Sequence, residues 1–153
     1  MHFMKKRIYL KFLLSVFLGL CWVNGQAQTL HQLVLTVDMT KPNSAPSSSF
    51  SAGTNTTVVE NSSSDRFAIW AEVGDSVLWK AKSTGESQVP VNVVGVNYVG
   101  GPRIFSSNTL TGNNTVKATI IRGGKEDYVY KLQYTIGADT KLYAVTALIK
   151  TKK

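Results

Sequence analysis

The stretch on either side of the Gly74–Asp75 dipeptide constrains the fold of this chain more than any other. Phe67–Val73 and Val77–Ser83 both alternate apolar side chains with their neighbours, and they contain Trp70 and Trp79 respectively. Successive side chains of a β-strand point to opposite faces, so a spacing of two predicts two strands. Gly-Asp is a turn signal, because glycine reaches positive φ without a Cβ clash and aspartate can bond its own backbone.

The same spacing recurs along most of the chain, whereas no sustained helical period follows the N-terminal segment. Further strands are predicted at about residues 31–38, 56–60, 91–98, 116–121, 128–136 and 142–149. Gly-, Asn- and Ser-rich turns separate them, among them 111–114. The pattern predicts an all-β fold, an antiparallel two-sheet Greek-key sandwich of the immunoglobulin-like or cupredoxin-like kind with about seven to nine strands.

The N-terminal segment has the composition of a secretory signal peptide. Lys and Arg residues precede an apolar run over 12–23, which is short for a membrane span, and small residues stand at Gly25 and Ala27. We therefore expect residues 1–27 to be a helical signal peptide that is cleaved after Ala27, giving a secreted or periplasmic protein. Cys21 follows Leu20 rather than a small residue, so lipoprotein processing is not expected.

Residues 28–153 are expected to form one β-sandwich domain with a Ser- and Pro-rich loop at 40–55. Four of the 17 Lys and Arg residues lie in the signal, which leaves 13 against nine acidic residues and lowers the net charge from +8 to +4. This mild excess does not indicate a nucleic-acid partner. The single Cys leaves with the signal, so we expect core burial to hold the domain together without disulfides.

The residue types of the mature segment exclude several kinds of chemistry. His31 is its one histidine and is expected to be solvated. With no Cys and one His, neither a thiolate site nor a multi-histidine metal site can be assembled within one chain, so no metal, cofactor or catalytic residue is predicted. A hydrolase that uses the carboxylates of Glu72, Asp75, Glu126 or Asp127 remains an alternative. These residues are more simply turn and surface groups.

Aromatic side chains are the candidate ligand-binding groups. Trp70, Trp79 and Tyr98 fall in predicted strands. A tryptophan usually packs in a core because it buries a large area, but an exposed indole can stack on the flat face of a sugar. We therefore take Trp70, Trp79 and Tyr98 as the candidate stacking surface of a carbohydrate-binding module.

Two segments resemble known families. Val73–Trp79 carries the G-D-x-V-x-W part of the V-x-x-G-D-x-V-x-W turn of cupredoxin-like sandwiches and resembles it, and Tyr128–Ile136 resembles the end of that fold. Copper-binding members carry a His after the Trp strand and a Cys-His-Met set near the last strands. Those residue types are missing from 83–89 and 134–141 here, so the resemblance implies the scaffold without copper.

A second resemblance is to the inclusion-body protein family. It rests on F-x-I-W-A-x-x-G-D-x-V-x-W over Phe67–Trp79, the Val-rich strand that follows, and the Tyr-rich strand before the last one. The closing Asp-Pro-x-Ile of that family is replaced by Thr146–Ile149. No enzymatic activity is established for the family, so the resemblance implies none.

The sequence as a whole predicts a secreted, non-catalytic protein that acts by binding or assembly. The sequence does not identify the partner; a glycan and a protein are the candidates, and exposed strand edges could pair two copies. Membrane contact is expected only through the signal peptide before cleavage. The carbohydrate-binding module and the carboxylate hydrolase are the alternatives.

Overall fold

A computed structural model describes residues 27–39, 46–63, 65–85 and 89–152. Ten strands and no helix lie in these ranges. The strands are β1 (Leu30–Asp38), β2 (Ser47–Ala52), β3 (Thr57–Asn61), β4 (Phe67–Ala71), β5 (Ser76–Thr84), β6 (Val91–Gly100), β7 (Thr109–Asn114), β8 (Val116–Thr119), β9 (Tyr128–Ile136) and β10 (Tyr143–Thr151). Residues 1–26 of the expected signal peptide lie outside the described ranges.

The strands form two sheets, which confirms the predicted all-β sandwich. One sheet has the order β2-β1-β5-β8, and the other has the order β3-β4-β10-β9-β6-β7. Both sheets are mixed rather than wholly antiparallel as predicted, because β1 lies parallel to β5 and β4 lies parallel to β10. The other pairs are antiparallel, and the ten strands exceed the predicted seven to nine. Parallel neighbours need a long crossover, which the local sequence pattern does not reveal.

The predicted turn at 74–75 joins the two sheets. β4 belongs to the six-stranded sheet and β5 to the four-stranded sheet. Gly74 has a φ of 99°, as its predicted turn role requires. Its N–H donates to the Ile120 carbonyl at 2.8 Å, while the Ile120 N–H donates to the Asp75 carbonyl at 2.8 Å. The corner is thereby bound to the chain just after β8.

The core lies between the sheets and is built from the inward positions of the alternating strands. Leu33, Leu35 and Val37 of β1 are fully buried, as is their counterpart Trp79 on β5. Tyr130 packs edge-on against Trp79, with ring centroids 5.6 Å apart. Aliphatic and aromatic burial of this kind supplies the main favourable term in folding.

Two predicted irregular segments contain strands, which corrects the sequence interpretation. β2 lies inside the loop expected at 40–55, and β7 occupies the turn expected at 111–114. Both strands are short, Ser-, Thr- or Asn-rich and at sheet edges, so backbone pairing rather than apolar alternation stabilises them. Within β2, the buried Phe50 stacks on Phe67 with centroids 5.0 Å apart and anchors the segment to the core.

Candidate functional site

Asp75 is the hydrogen-bonding centre at one end of the sandwich. Its Oδ1 accepts the Thr29 N–H at 2.9 Å, and its Oδ2 accepts the Glu72 N–H at 2.8 Å. The His31 Nε2 lies 3.0 Å from the same Oδ2. Asp75 is 8% exposed, so the interpretation of this residue as a surface group is wrong, although its place in a turn is confirmed.

The charge of Asp75 is stabilised by these partners. Burial alone would raise the pKa of its carboxyl, but the hydrogen bonds from His31, Glu72 and Thr29 outweigh burial, and the pKa lies below its ordinary value of 3.8. Asp75 is therefore an anion at neutral pH. It joins the segment before β1 to the corner between β4 and β5.

His31 is buried at 4% exposure, so the expectation that it is solvated is wrong. Its Nδ1 lies 3.3 Å from the Thr56 hydroxyl, while its Nε2 faces Asp75. The ring therefore connects β1 to the β2–β3 turn. The sequence did carry the signal, because His31 occupies the same phase of the β1 alternation as the buried Leu33 and Leu35.

A cleft of about 660 Å³ opens above this network. It is called the Trp70 cleft here, and it is lined by Ala27, Gln28, Thr29, His31, Asn55, Thr57, Trp70, Ala71, Glu72, Val73, Gly74 and Asp75. The lining combines one indole with amide, hydroxyl and carboxylate groups. Concave sites with an apolar wall and a few polar groups are typical of small-molecule binding.

Trp70 is the one predicted aromatic residue that lies in the cleft. It points to the outer face of the six-stranded sheet, between Thr57 of β3 and Lys150 of β10, and is half-buried. The neighbouring β4 residues Ile69 and Ala71 point inward and are buried. The β-strand alternation therefore holds the indole at the rim of the cleft while the rest of β4 is fixed in the core.

Trp79 cannot be part of a stacking surface, which corrects that prediction. It is 0% exposed and contacts Phe105 and Tyr130 edge-on. On β5 the inward positions are Val77 and Trp79, so the alternation that places Leu78 outside also places this indole inside. Its role is core packing.

Tyr98 lies apart from the cleft, in β6 of the six-stranded sheet. Its ring packs against Tyr128 with centroids 5.8 Å apart, and its hydroxyl donates to the Gly101 carbonyl at 2.6 Å. The Arg103 guanidinium lies 5.9 Å from the ring centroid. The hydroxyl and ring therefore fix the turn after β6, and Tyr98 and Trp70 do not line a common cleft.

The candidate carboxylates fall into separate places. Glu72 and Asp75 line the Trp70 cleft. Asp127 lies 3.5 Å from the Lys150 Nζ, and Glu126 is exposed in the segment before β9. Nowhere in the described ranges do three or more His, Cys, Asp or Glu side chains gather into a group that could hold a metal ion. The same ranges contain no helix with the length and apolarity to cross a membrane.

Comparison with known proteins yields a likeness of fold. No family model matches the chain, and no curated protein matches it. Among solved structures, the chain is similar to an inclusion body protein (PixA) from Burkholderia cenocepacia, with 11% sequence identity and a TM-score of 0.53. The match covers 84% of this chain and 99% of that one. At this identity the likeness shows that the two proteins share the sandwich architecture.

Proposed function

We propose that the protein is an exported, non-catalytic binding protein and that its Trp70 cleft holds a saccharide. The observation that carries the proposal is the half-buried indole of Trp70 at the rim of a cleft with amide and hydroxyl groups. An indole offers a flat apolar face to the C–H face of a sugar ring, while Asn55, Gln28 and Thr57 carry groups that suit sugar hydroxyls.

The network below the cleft supports binding by a preformed site. Asp75 and His31 join three chain segments, at Thr29, Glu72 and Thr56, through hydrogen bonds of 2.8–3.3 Å. A site that is rigid before the ligand arrives loses less conformational entropy on binding. This favours the cleft over an exposed loop as the place where the protein recognises its partner.

The hydrogen bonding of Asp75 favours binding over carboxylate catalysis. A hydrolase of that kind uses two carboxyl groups that face the scissile bond from opposite sides of a cleft. Both Asp75 oxygens already accept hydrogen bonds from the protein, and its pKa is lowered. An anion held by backbone N–H groups is a poor proton donor near neutral pH, so we assign Asp75 a structural role.

A glycan array with the mature protein tests the proposal. We expect wild type to bind one class of glycans and Trp70→Ala to lose that binding, with both proteins giving the same circular dichroism spectrum. Tyr143→Ala is the matched control, because it removes a partly buried aromatic ring that packs on Tyr134, away from the cleft. A blank array for wild type, or equal binding by wild type and Trp70→Ala, would reject the saccharide.

Assembly through β3 is the second candidate function. β3 is an edge strand of the six-stranded sheet, and its Val58 and Val59 are 40% and 47% exposed. An apolar edge with unpaired backbone groups is a template for another strand. The solved structure of similar fold is named an inclusion body protein, which makes assembly of this chain worth testing.

Light scattering after size exclusion, over a range of concentrations, tests assembly. We expect wild type to form dimers or larger species and Val59→Lys to remain monomeric, because lysine on an edge strand blocks pairing. Val99→Lys is the control, since Val99 is 51% exposed but belongs to β6, an inner strand of the same sheet. A wild type that is monomeric at all concentrations would rule out this candidate.

A further inference from the structure

The outer face of the four-stranded sheet carries Lys80, Lys82 and Lys117, and we call this whole outer face the lysine face. The burial alternation of each strand defines the outward positions of this face. Beside the lysines they are mostly hydroxyl- or amide-bearing, and the members are Leu30, Gln32, Val34, Thr36, Ser47, Ser49, Ser51, Ser76, Leu78, Lys80, Lys82, Thr84, Lys117 and Thr119. Asp38, at the end of β1, is the one carboxylate on outward positions of the four strands.

The three lysines are close together. Lys80 and Lys82 are two residues apart on β5, which corresponds to roughly 7 Å along a strand. Lys117 on β8 lies opposite Leu78, which places it diagonally next to Lys80 at roughly 7 to 8 Å between the backbones. On the other side, β1 places Val34 opposite Lys80 and Thr36 opposite Lys82.

Within the described ranges, no ion pair neutralises the charges of these three lysines. The ion pairs recorded among the described residues use His31, Arg66, Lys150 and Lys152, and none of them uses Lys80, Lys82 or Lys117. Three like charges within one short section of a sheet repel one another unless a counter-charge is present. Charge complementarity therefore calls for an anionic partner with more than one negative group.

We propose that the lysine face binds an acidic polysaccharide chain. Lys80, Lys82 and Lys117 pair with its carboxylates, and the hydroxyls of Thr36, Ser49 and Ser51 suit its neutral sugar hydroxyls. No aromatic side chain occupies an outward position of the four strands within the described residues, so a stacking platform for nucleic-acid bases is missing. Of the outward aliphatic side chains, Val34 and Leu78 are half-buried and Leu30 alone is exposed, at 43%. One exposed leucine at a strand end offers little apolar area for insertion into a lipid surface.

This inference does not depend on the saccharide proposed for the Trp70 cleft. The face shares no residue with the cleft lining, and it recognises charge rather than a flat ring. A Trp70→Ala protein should therefore keep binding to an acidic chain. Conversely, loss of the lysines should leave array binding through Trp70 unchanged.

Binding of polygalacturonic acid to the mature protein, measured by calorimetry at low salt with neutral dextran as the reference polymer, is the test. We expect K80Q/K82Q/K117Q to bind about tenfold more weakly than wild type and with a flatter dependence on salt. The matched control is K125Q/K131Q/K141Q, which removes the same charge from exposed lysines elsewhere and should bind like wild type.

Each other outcome overturns the proposal. Equal weakening by the two triple variants would mean that net charge alone attracts the polymer. Tighter binding to vesicles of phosphatidylglycerol, or to single-stranded DNA, than to polygalacturonic acid would assign a different class of partner to the face. Failure of wild type to bind any of these polyanions would remove the site.

Discussion

The imidazole of His31 and the carboxylate of Asp75 lie 3.0 Å apart in a buried position, 44 residues apart in sequence. Asp75 also accepts backbone N–H groups from Thr29 and Glu72. The pair thus joins the start of β1, the β2–β3 turn and the corner between the two sheets. The cleft that we propose as the binding site depends on these three segments staying together.

Replacing Asp75 by Asn should destabilise the protein. The amide keeps the shape but loses the charge, and one of its ends presents N–H groups to the backbone donors of Thr29 or Glu72. A hydrogen bond to a charged group contributes about 1.5–3 kcal/mol to stability. We therefore expect the free energy of unfolding, measured in urea, to fall by about 2–3 kcal/mol. Asp139→Asn is the control.

Asp139 also accepts a backbone N–H, from Lys141 at 2.9 Å, but it is exposed. Its replacement should therefore cost less than about 0.5 kcal/mol. Similar losses in the two variants would show that the Asp75 network contributes no more than an ordinary surface turn.

The stability provided by Asp75 should disappear in acid. Because its pKa is lower in the folded protein than the ordinary 3.8, the unfolded chain takes up the proton more readily as the pH falls. The contribution is complete at pH 6 and is lost as the pH drops through 3.8 and below. The difference in unfolding free energy between wild type and Asp75→Asn should therefore shrink from pH 6 to pH 2.5. A constant difference would contradict this linkage.

Removing the Tyr130 hydroxyl should not harm the fold. Tyr130 is fully buried, and its hydroxyl makes no hydrogen bond to the described part of the chain. Burial raises its pKa, and the nearby Trp79 N–H opposes only part of that rise without reaching hydrogen-bond geometry. Tyr130→Phe should leave the free energy of unfolding unchanged or raise it by about 1 kcal/mol.

Tyr98→Phe is the matched comparison for Tyr130→Phe. It removes a hydroxyl that donates to the Gly101 carbonyl at 2.6 Å, so thermal or urea unfolding should show a loss of about 1 kcal/mol. If Tyr130→Phe were as destabilising as Tyr98→Phe, the Tyr130 hydroxyl would have to be hydrogen-bonded in solution.

The adjacent glycines at the end of β6, Gly100 and Gly101, should differ sharply in their tolerance of alanine. Gly101 has a φ of 85°, and a Cβ there would overlap the Asp127 carbonyl, whereas a Cβ on Gly100 meets no atom within 4 Å. Gly101→Ala should destabilise the protein by about 3 kcal/mol through backbone strain and overlap. Gly100→Ala should change stability by less than about 1 kcal/mol. Equal melting temperatures for the two variants would refute this account.

The fold class could be predicted because burial alternation is a local property. In β9 every second side chain is apolar and faces the core, and in β1 the same holds from Leu33 to Val37, after the buried His31. β2 and β7 escaped prediction because their residues are mostly Ser, Thr, Asn and Gly, and their extended form depends on pairing with β1 and β6. When a strand is stabilised mainly by pairing with its neighbour, its own amino-acid composition does not predict it.

The candidate site was only partly predictable. Trp70 and Trp79 lie in strands that are consecutive in the sequence, yet Trp70 lines the cleft and Trp79 lies in the core. Whether each indole points into or out of the core depends on which face of β4 and β5 packs against the other sheet. That face is known only from the tertiary structure. The burial of His31 follows from its phase in β1, but its partner Asp75 lies 44 residues away in a turn, and no local pattern links the two.

The amino-acid sequence alone determined that extended strands alternate between two faces and that Gly74 makes a turn, since side-chain periodicity and backbone sterics act between near neighbours. The tertiary structure decided which strands pair, that the Gly74–Asp75 turn crosses between sheets, and that His31 meets Asp75 beneath Trp70. Those relationships depend on contacts between residues far apart in the chain. The packing of the two sheets against each other determines which of these contacts form.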